Sequence, residues 1–277
     1  MKPFVIYTYD YDPGVGGIKV MHKLCHLLNQ IGYPCYLMPI HVRDTFNVCS
    51  DYNTPLITQE IFDNISDAIV IYPEGIHYNP LNSKNVVRWI LGPANQTDYN
   101  TYSDTDLIYW YMDYYYTDEL GSRENQLMIT EFHSNIFQNK NISRNGSCYS
   151  IRKGNPKSLV HPADSIEIKF HDAGNLSNIS SIFNATKKFY CYDNYTFLSI
   201  QAAMCGCISI VIPDGTKTKE EWLMGSRFNP YGVAFGETDI DRAIETLPLL
   251  YKEIEIAEED MIKQVNKFVE RCKERFI

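Results

Sequence analysis

The segment from Phe189 to Pro213 has the residue types and spacing of a phosphate-binding turn. A β-rich run leads into a polar turn, Asp193 to Thr196, and a helical stretch of small residues follows. The first N–H groups of a helix lack intrahelical partners and carry partial positive charge, so the helix start near Tyr195 and Thr196 is suited to bind a diphosphate. The Thr196 hydroxyl adds a donor, and the Gln201 amide can bond a ribose hydroxyl. The segment therefore predicts a nucleoside diphosphate site.

A basic pair, Arg152 and Lys153, directly follows another predicted strand. The chain has 25 Lys and Arg against 34 Asp and Glu, and its formal net charge is -9. Because nucleic-acid binding needs clustered Lys and Arg, we expect no nucleic acid partner. A basic pair in an acidic chain is instead suited to neutralise a bound phosphate. Lys153 is the first candidate and Arg152 the second, against the alternative of a solvated surface pair.

Two further candidates lie in the first half of the chain. Glu74 follows a buried strand, at the sheet edge where ligands bind in open α/β folds, and Tyr72, Asp10 and His77 share that edge. A carboxylate there can act as a general base on an acceptor hydroxyl or bind the acceptor, unless it is only a loop carboxylate or helix cap.

A glycine-rich run follows the first predicted strand and contains Gly14, Gly16 and Gly17. Such a loop lets the backbone approach a phosphate or an acceptor. Its spacing is neither that of a dinucleotide fingerprint nor that of a Walker loop. The spacing therefore counts against a dinucleotide oxidoreductase and against a kinase.

Alternating strand and helix patterns position these residues and predict an α/β fold with parallel sheets. The predicted strands are Phe4 to Tyr9, Cys35 to Ile40, Ala68 to Tyr72, Leu107 to Met112, Leu127 to Phe132, Cys148 to Ile151, Ser165 to Ile168, Lys188 to Cys191, Cys207 to Ile212 and Gly232 to Phe235. The predicted helices are Ile18 to Ile31, Val86 to Leu91, Ile179 to Phe183, Tyr195 to Cys205 with Gly206 as its C-terminal cap, and the segment after Asp239. The Asn-rich stretch 133–147 divides two Rossmann-like domains, residues 1–135 and 136–277, and helices close the second.

Composition sets further bounds. Hydrophobic residues make up 44% and charged residues 21%, as in ordinary globular proteins. The eight cysteines form no CxxC pair, and we interpret them as reduced thiols of a cytoplasmic protein. No signal-peptide pattern is present, and no apolar run reaches the roughly 18 residues of a transmembrane segment. The triplets Asp10-Tyr11-Asp12 and Asp104-Thr105-Asp106 are interpreted as chance rather than as metal ligands.

The turn and helix resemble the donor-binding motif of GT-B glycosyltransferases, especially the family-4-like enzymes. That motif is Glu-x7-Glu followed by Ala-Met-Ala-x-Gly; here Asp193 and Gln201 occupy the two Glu positions and AAMCG (Ala202 to Gly206) the tail. The resemblance implies that Asp193 lies near the donor sugar, that Gln201 binds the ribose, and that Lys153 or Arg152 binds the diphosphate. The segment Asn79 to Leu91 also resembles part of bacterial and viral polysaccharide transferases.

A GT-B enzyme has two Rossmann-like domains facing a cleft, with the acceptor on the N-terminal side and the nucleotide sugar on the C-terminal side. The resemblance therefore implies a metal-independent transfer from a nucleotide-diphosphate sugar, with no other cofactor, to a glycan or lipid-linked acceptor in polysaccharide biosynthesis. A partner protein or a homo-oligomer for acceptor delivery stays open.

Three alternatives stay open. A nucleotide-sugar epimerase with two Rossmann-like halves would use the same donor site. A non-catalytic sugar or nucleotide-binding protein is favoured by the replacement of both motif acids, at Asp193 and Gln201. A periplasmic-type binding protein also has two α/β lobes, but the missing signal peptide counts against it.

Overall fold

A computed structural model describes residues 2–41, 45–92, 98–112, 115–151, 154, 158–169 and 175–277. The chain is an α/β protein with two five-stranded parallel sheets. It divides into unit 1, Met1–Thr130 with Glu258–Ile277, and unit 2, Glu131–Ala257. The last residues of the chain thus group with the first unit, whereas the sequence pattern assigned them to the second domain.

Unit 1 is built on a sheet whose strand order is β2-β1-β3-β4-β5. Its strands are β1 Phe4–Thr8, β2 Cys35–Pro39, β3 Ile69–Pro73, β4 Asn85–Ile90 and β5 Leu107–Trp110, and its first helices are α1 Gly16–Gln30 and α2 Gln59–Asp63. The chain runs from β1 to β2 on one side and then returns to β3 on the other side of β1. This reversal makes the loops after β1 and β3 diverge, which is where ligands bind in open α/β sheets.

Two predicted elements of unit 1 are wrong. Val86 to Leu91 was expected to be helical, but Asn85–Ile90 is strand β4, hydrogen-bonded between β3 and β5 and buried along its whole length. A strand buried on both faces shows no alternation, so periodicity cannot distinguish it from a short buried helix. Leu127 to Phe132 was expected to be a strand, but only an isolated bridge, between Trp110 and Gln126, forms there.

Unit 2 repeats the parallel architecture with the strand order β10-β9-β8-β6-β7. Its strands are β6 Ser147–Ser150, β7 Ile166–Glu167, β8 Lys188–Cys191, β9 Ile208–Val211 and β10 Val233–Phe235; its helices are α3 Leu176–Ala185, α4 Phe197–Met204 and α5 Lys219–Met224. Here the order reverses at β6, between β7 and β8. The loops that follow β6 and β8 therefore diverge as in unit 1.

Gly206 ends α4 as the sequence predicted. Its φ of 77° lies in the left-handed region, and its N–H donates to the Ala203 carbonyl at 2.8 Å. Only glycine adopts this conformation without strain. A Cβ at this position would also lie 2.6 Å from the Asn139 amide nitrogen. The turn from α4 into β9 therefore requires this residue.

The chain ends in one long helix, α6 Ile240–Phe276, with Pro248 inside it. Its first part belongs to unit 2 and its last part to unit 1, where Phe268 packs on the rings of Phe4 and Tyr109. Among the residues described, no helix combines the length and apolar character needed to cross a membrane.

A buried cation fixes the loop after β3. The Arg88 side chain on β4 is 1% exposed, and its Nε donates to Asp106 Oδ2 at 2.8 Å. The guanidinium also donates to the carbonyls of Ile76 and Tyr78. It lies 4.5 Å from the ring centroid of Tyr102, at cation–π distance. Arg88 thus ties the start of this loop to the sheet.

Replacing Arg88 should strongly destabilise unit 1. We expect Arg88→Met to lower the free energy of unfolding by about 3–5 kcal/mol, because it leaves the buried Asp106 carboxylate without its cation and two carbonyls without this donor. Urea unfolding measures this. The matched control is Lys84→Met, which removes an exposed ion pair with Asp67 whose side chains are 72% and 66% accessible; it should cost at most about 1 kcal/mol. Equal losses in the two variants would contradict this role of Arg88.

Candidate functional site

In unit 2 the turn after β8 leads into a capped helix. Asp193 Oδ1 accepts the N–H of Tyr195 at 3.1 Å, which forms an Asx turn. Thr196 is the N-cap of α4, and its Oγ1 accepts the N–H of Leu198 at 3.3 Å. The helix therefore begins at Phe197, and the N–H of Tyr195 and the Thr196 oxygen already have partners within the turn. The structure brings Asp193, Tyr195 and Thr196 together in one loop at the carboxyl end of the sheet.

The loop after β6 reaches the same place through a close backbone approach. The Gly154 N–H donates to the Ile151 carbonyl at 2.7 Å, and a Cβ on Gly154 would lie 2.0 Å from the Tyr192 carbonyl oxygen. No other residue has room there. Arg152 and Lys153, the predicted diphosphate ligands, lie outside the described residues.

Tyr192 is anchored by a histidine that the sequence analysis missed. The Tyr192 hydroxyl accepts the N–H of Val160 and lies 2.8 Å from His161 Nδ1. The His161 ring stacks on Tyr149, with centroids 3.7 Å apart. Burial lowers the pKa of His161, which favours the neutral ring, although Glu167 opposes this effect. Since these contacts join residues far apart in sequence, no local pattern signals them.

A carboxylate after β9, also missed, supports the same turn. Asp214 Oδ2 accepts from the Asn194 side-chain amide at 3.0 Å. Burial alone would raise the pKa of Asp214, but hydrogen bonds from Thr216 and Asn194 outweigh it, and the pKa is lowered. Trp222 Nε1 donates to the Asn194 carbonyl at 2.9 Å. The position of Asp214 just beyond the end of a strand is a signal that could have identified it.

Two other predicted donor ligands of unit 2, Gln201 and Tyr195, pack against other parts of the unit. Gln201 lies in α4 and is 3% exposed. The Tyr195 side chain lies against Gly225, the residue that ends α5, where a Cβ would be 2.2 Å from the tyrosine hydroxyl. The Lys217 ammonium is 5.6 Å from the centroid of the same ring. Both side chains are therefore engaged in packing within the unit.

In unit 1, Glu74 bridges the ends of two neighbouring strands. Its Oε2 accepts the N–H of Leu91 at 3.0 Å, and a Cβ on Gly92 would lie 2.8 Å from Oε1. Its main-chain carbonyl accepts the Tyr102 hydroxyl at 2.7 Å. The carboxylate is half-buried at the predicted edge of the sheet, where it joins the loops after β3 and β4.

The predicted glycine loop is largely helical, so that expectation needs correction. Gly16 and Gly17 are the first two residues of α1, and Gly14 alone lies in the preceding turn. None of the three has a positive φ. The Gly14 N–H donates to Asp12 Oδ1 at 2.7 Å, so this amide is already used within the protein.

A cavity of about 410 Å³ opens beside this turn. The described residues that line it are Tyr9, Asp10, Tyr11, Asp12, Pro13, Ile18, His41 and Phe46. The Tyr9 side chain is 45% exposed, and its ring contacts that of His41 at 5.5 Å. Asp10 Oδ1 accepts the N–H of Asn47 at 2.8 Å. The cavity thus combines aromatic faces with two carboxylates whose other oxygens, Oδ2, have no partner among the described residues.

His22, on α1, is fully buried behind this cavity. Its ring lies 5.3 Å from that of Tyr11 and 6.0 Å from that of Phe46, and both of these residues line the cavity. Nε2 lies 2.9 Å from the Tyr9 carbonyl, which can only accept, so Nε2 carries the proton. Nδ1 is buried without a partner among the described atoms. Burial lowers the pKa of His22.

Comparisons with known proteins find a distant similarity among solved structures. No protein-family model matches the sequence, and no curated protein matches it. Among solved structures, the chain is similar to an alpha-glucosyltransferase in complex with UDP and a 13-mer DNA containing a central A:G mismatch. The two are 11% identical over 97% of this chain and 95% of that chain, with a TM-score of 0.46.

Gly154 should tolerate no side chain. We expect Gly154→Ala to destabilise unit 2 by about 1–3 kcal/mol, because the methyl group displaces the loop from Tyr192. Calorimetric unfolding measures the loss. Gly75→Ala is the matched control, since a Cβ there meets nothing within 4 Å and the φ of Gly75 is not positive. A Gly154→Ala protein as stable as this control would show that the close approach is not required.

Because of His22, we expect the free energy of unfolding to fall in mild acid. Its pKa is lower in the folded chain than the unfolded value of about 6.5, so the unfolded state takes up the proton first as pH falls. The stability due to neutral His22 is therefore complete above pH of about 6.5 and is lost below it, until the folded-state pKa is passed. His22→Gln, which keeps a donor but does not titrate, should lose this part of the pH dependence in urea unfolding. If the free energy of unfolding of His22→Gln depended on pH as that of the wild type does, this role of His22 would be contradicted.

Proposed function

We propose that this protein is a glycosyltransferase that moves a sugar from a nucleotide-diphosphate sugar to a hydroxyl acceptor. The observation that carries the proposal is the arrangement in unit 2, where an Asx turn and a capped helix follow the strand next to the point of reversal. The loop after β6 packs against this turn through Gly154. Ligands bind at this position in open α/β sheets, and helix starts favour phosphate.

Several groups of unit 2 contribute to the proposed donor site. One N–H at the start of α4 is occupied by the Thr196 cap, so the basic pair, Arg152 and Lys153, carries the larger share of the phosphate charge. Negative charge grows on the diphosphate as it leaves, and a nearby cation stabilises that transition state more than the bound donor. Asp193 is proposed to lie near the donor sugar. Gln201 is 3% exposed, so little of its side chain is accessible to a ribose.

Glu74 is the proposed acceptor-side carboxylate. It lies at the carboxyl edge of the first sheet, and one of its oxygens accepts the Leu91 N–H. Such a bond orients the carboxylate at the end of the strand. Its proposed role is to bind the acceptor or to take its proton.

Nucleotide binding tests the donor site. We expect UDP or GDP to bind the full chain more tightly than the corresponding monophosphate. Lys153→Ala should weaken diphosphate binding about 10- to 100-fold, as expected for the loss of a charged contact. Lys187→Ala removes an exposed lysine elsewhere in unit 2 and is the matched control. Isothermal titration calorimetry measures both variants, and equal affinity in the two would contradict the phosphate role of Lys153.

Turnover separates the proposed activity from its alternatives. Slow release of the sugar from a nucleotide sugar, accelerated by an added acceptor, supports a transferase. Nucleotide binding with no turnover, even with acceptor extracts, favours a non-catalytic binding protein. Conversion of the donor sugar into its epimer while still attached to the nucleotide favours an epimerase.

A further inference from the structure

The cavity after β1 in unit 1 has the composition of a site for an uncharged sugar ring. We propose that it binds a neutral saccharide, with Asp10 and Asp12 as its hydrogen-bond acceptors and Tyr9 as its stacking surface. Its volume of about 410 Å³ falls within the range of small-molecule sites. It lies at the end of β1, on one side of the point where the strand order reverses.

The polar groups around the cavity suit hydroxyl groups. Asp10 and Asp12 each use Oδ1 for a backbone N–H, from Asn47 and Gly14 respectively, which fixes the two carboxylates. Their Oδ2 atoms can accept from a ligand. Ile18 lines the cavity from the first turn of α1. A hydroxyl can donate to the carboxylate oxygens, which only accept.

The charge of the residues that line the cavity restricts which ligands can bind there. Two carboxylates, those of Asp10 and Asp12, line the cavity. Like charges close together in a partly buried site repel, so a phosphate or a uronic acid would bind poorly. The aromatic rings offer apolar faces of the size of a sugar ring. An uncharged polyhydroxylated ring therefore matches both the polar and the apolar parts of the wall.

His22 lies behind two aromatic residues of the cavity wall. Its side chain is 0% exposed, its ring packs against those of Tyr11 and Phe46, and its Nδ1 is unpartnered in the described part of the chain. A buried acceptor without a partner costs about 1–3 kcal/mol. Because His22 is not among the residues that line the cavity, a ligand would meet this part of the wall through Tyr11 and Phe46.

The inference deepens the proposed function by naming a neutral saccharide as the acceptor. Only the identification of this saccharide as the acceptor rests on the proposed function, and the binding itself does not. Saccharide binding can be tested without donor or turnover. If the chain binds neutral saccharides here but no nucleotide, the transferase proposal fails and the cavity assignment stands. If nucleotides bind but saccharides do not, the cavity assignment alone fails.

The test uses the full ¹⁵N-labelled chain and the amide signals of Asn47 and Gly14, which report on the two carboxylates. The probes are the methyl glycosides of glucose, galactose, mannose and N-acetylglucosamine, with methyl glucuronide as the anionic counterpart. At least one neutral glycoside should shift both signals with a dissociation constant in the millimolar range or tighter. Methyl glucuronide should bind at least about 10-fold more weakly.

Matched variants locate the site. Asp10→Asn and Asp12→Asn keep an oxygen for the Asn47 and Gly14 N–H groups but lose the charge, and each should weaken binding about 10-fold. Tyr9→Ala should also weaken it. Asp104→Asn, at an exposed position in the same unit, should bind like the wild type. Unfolding midpoints establish that every variant is folded.

Three results would overturn the proposal. They are the absence of any shift with all four neutral glycosides, equal binding of the glucuronide, and wild-type affinity in both aspartate variants.

Discussion

All strands of a parallel sheet end at the same edge, and this constraint decides where the chemistry of this protein can lie. In each unit the strand order reverses once, at β1 in unit 1 and at β6 in unit 2. The loops on the two sides of each reversal then diverge, and space opens between them. The residues proposed to act are those that this arrangement exposes: the loops after β1 and β3, and the loops after β6 and β8.

The two units hold these loops by different means, and the difference matches different ligands. Unit 1 holds the loop after β3 with a buried cation, Arg88, which donates to two carbonyls of that loop. Its loop after β1 places two carboxylates, Asp10 and Asp12, on the wall of the cavity. Unit 2 uses a backbone contact at Gly154, an N-cap at Thr196 and the carboxylate of Asp214. Acidic and aromatic walls suit a neutral hydroxyl-bearing group. A helix start of the kind found at Thr196 suits a phosphate.

The sequence predicted most strands because runs of β-branched and aromatic residues between turn signals are sufficient for that purpose. Lys188–Cys191 was located to the residue, and the start of α4 to within two residues. The helix predicted at Val86 to Leu91 was wrong because a fully buried strand has no period of its own. Gly16 and Gly17 were placed in a loop, since their composition suggests one, but they begin α1.

The parts of the sites that could not be predicted depend on contacts between distant segments. The stacking of His161 on Tyr149 and its contact with Tyr192 join three elements of unit 2. Likewise, Arg88 is a strand residue whose partners, Asp106 and the carbonyls of Ile76 and Tyr78, come from the loops on either side of it. A pattern within a dozen residues carries no information on such pairings.

The local structure also explains why the two glutamates of the resembled motif are replaced. Asp193 accepts the N–H two residues ahead, and an aspartate has the side-chain length that closes this turn. Gln201 is 3% exposed within α4, and burying an amide costs far less than burying a carboxylate. Each replacement therefore fits the backbone that surrounds it. It follows that, in the proposed donor site, affinity would come from the helix start and from the proposed ligands Arg152 and Lys153 rather than from the two acidic positions of the motif.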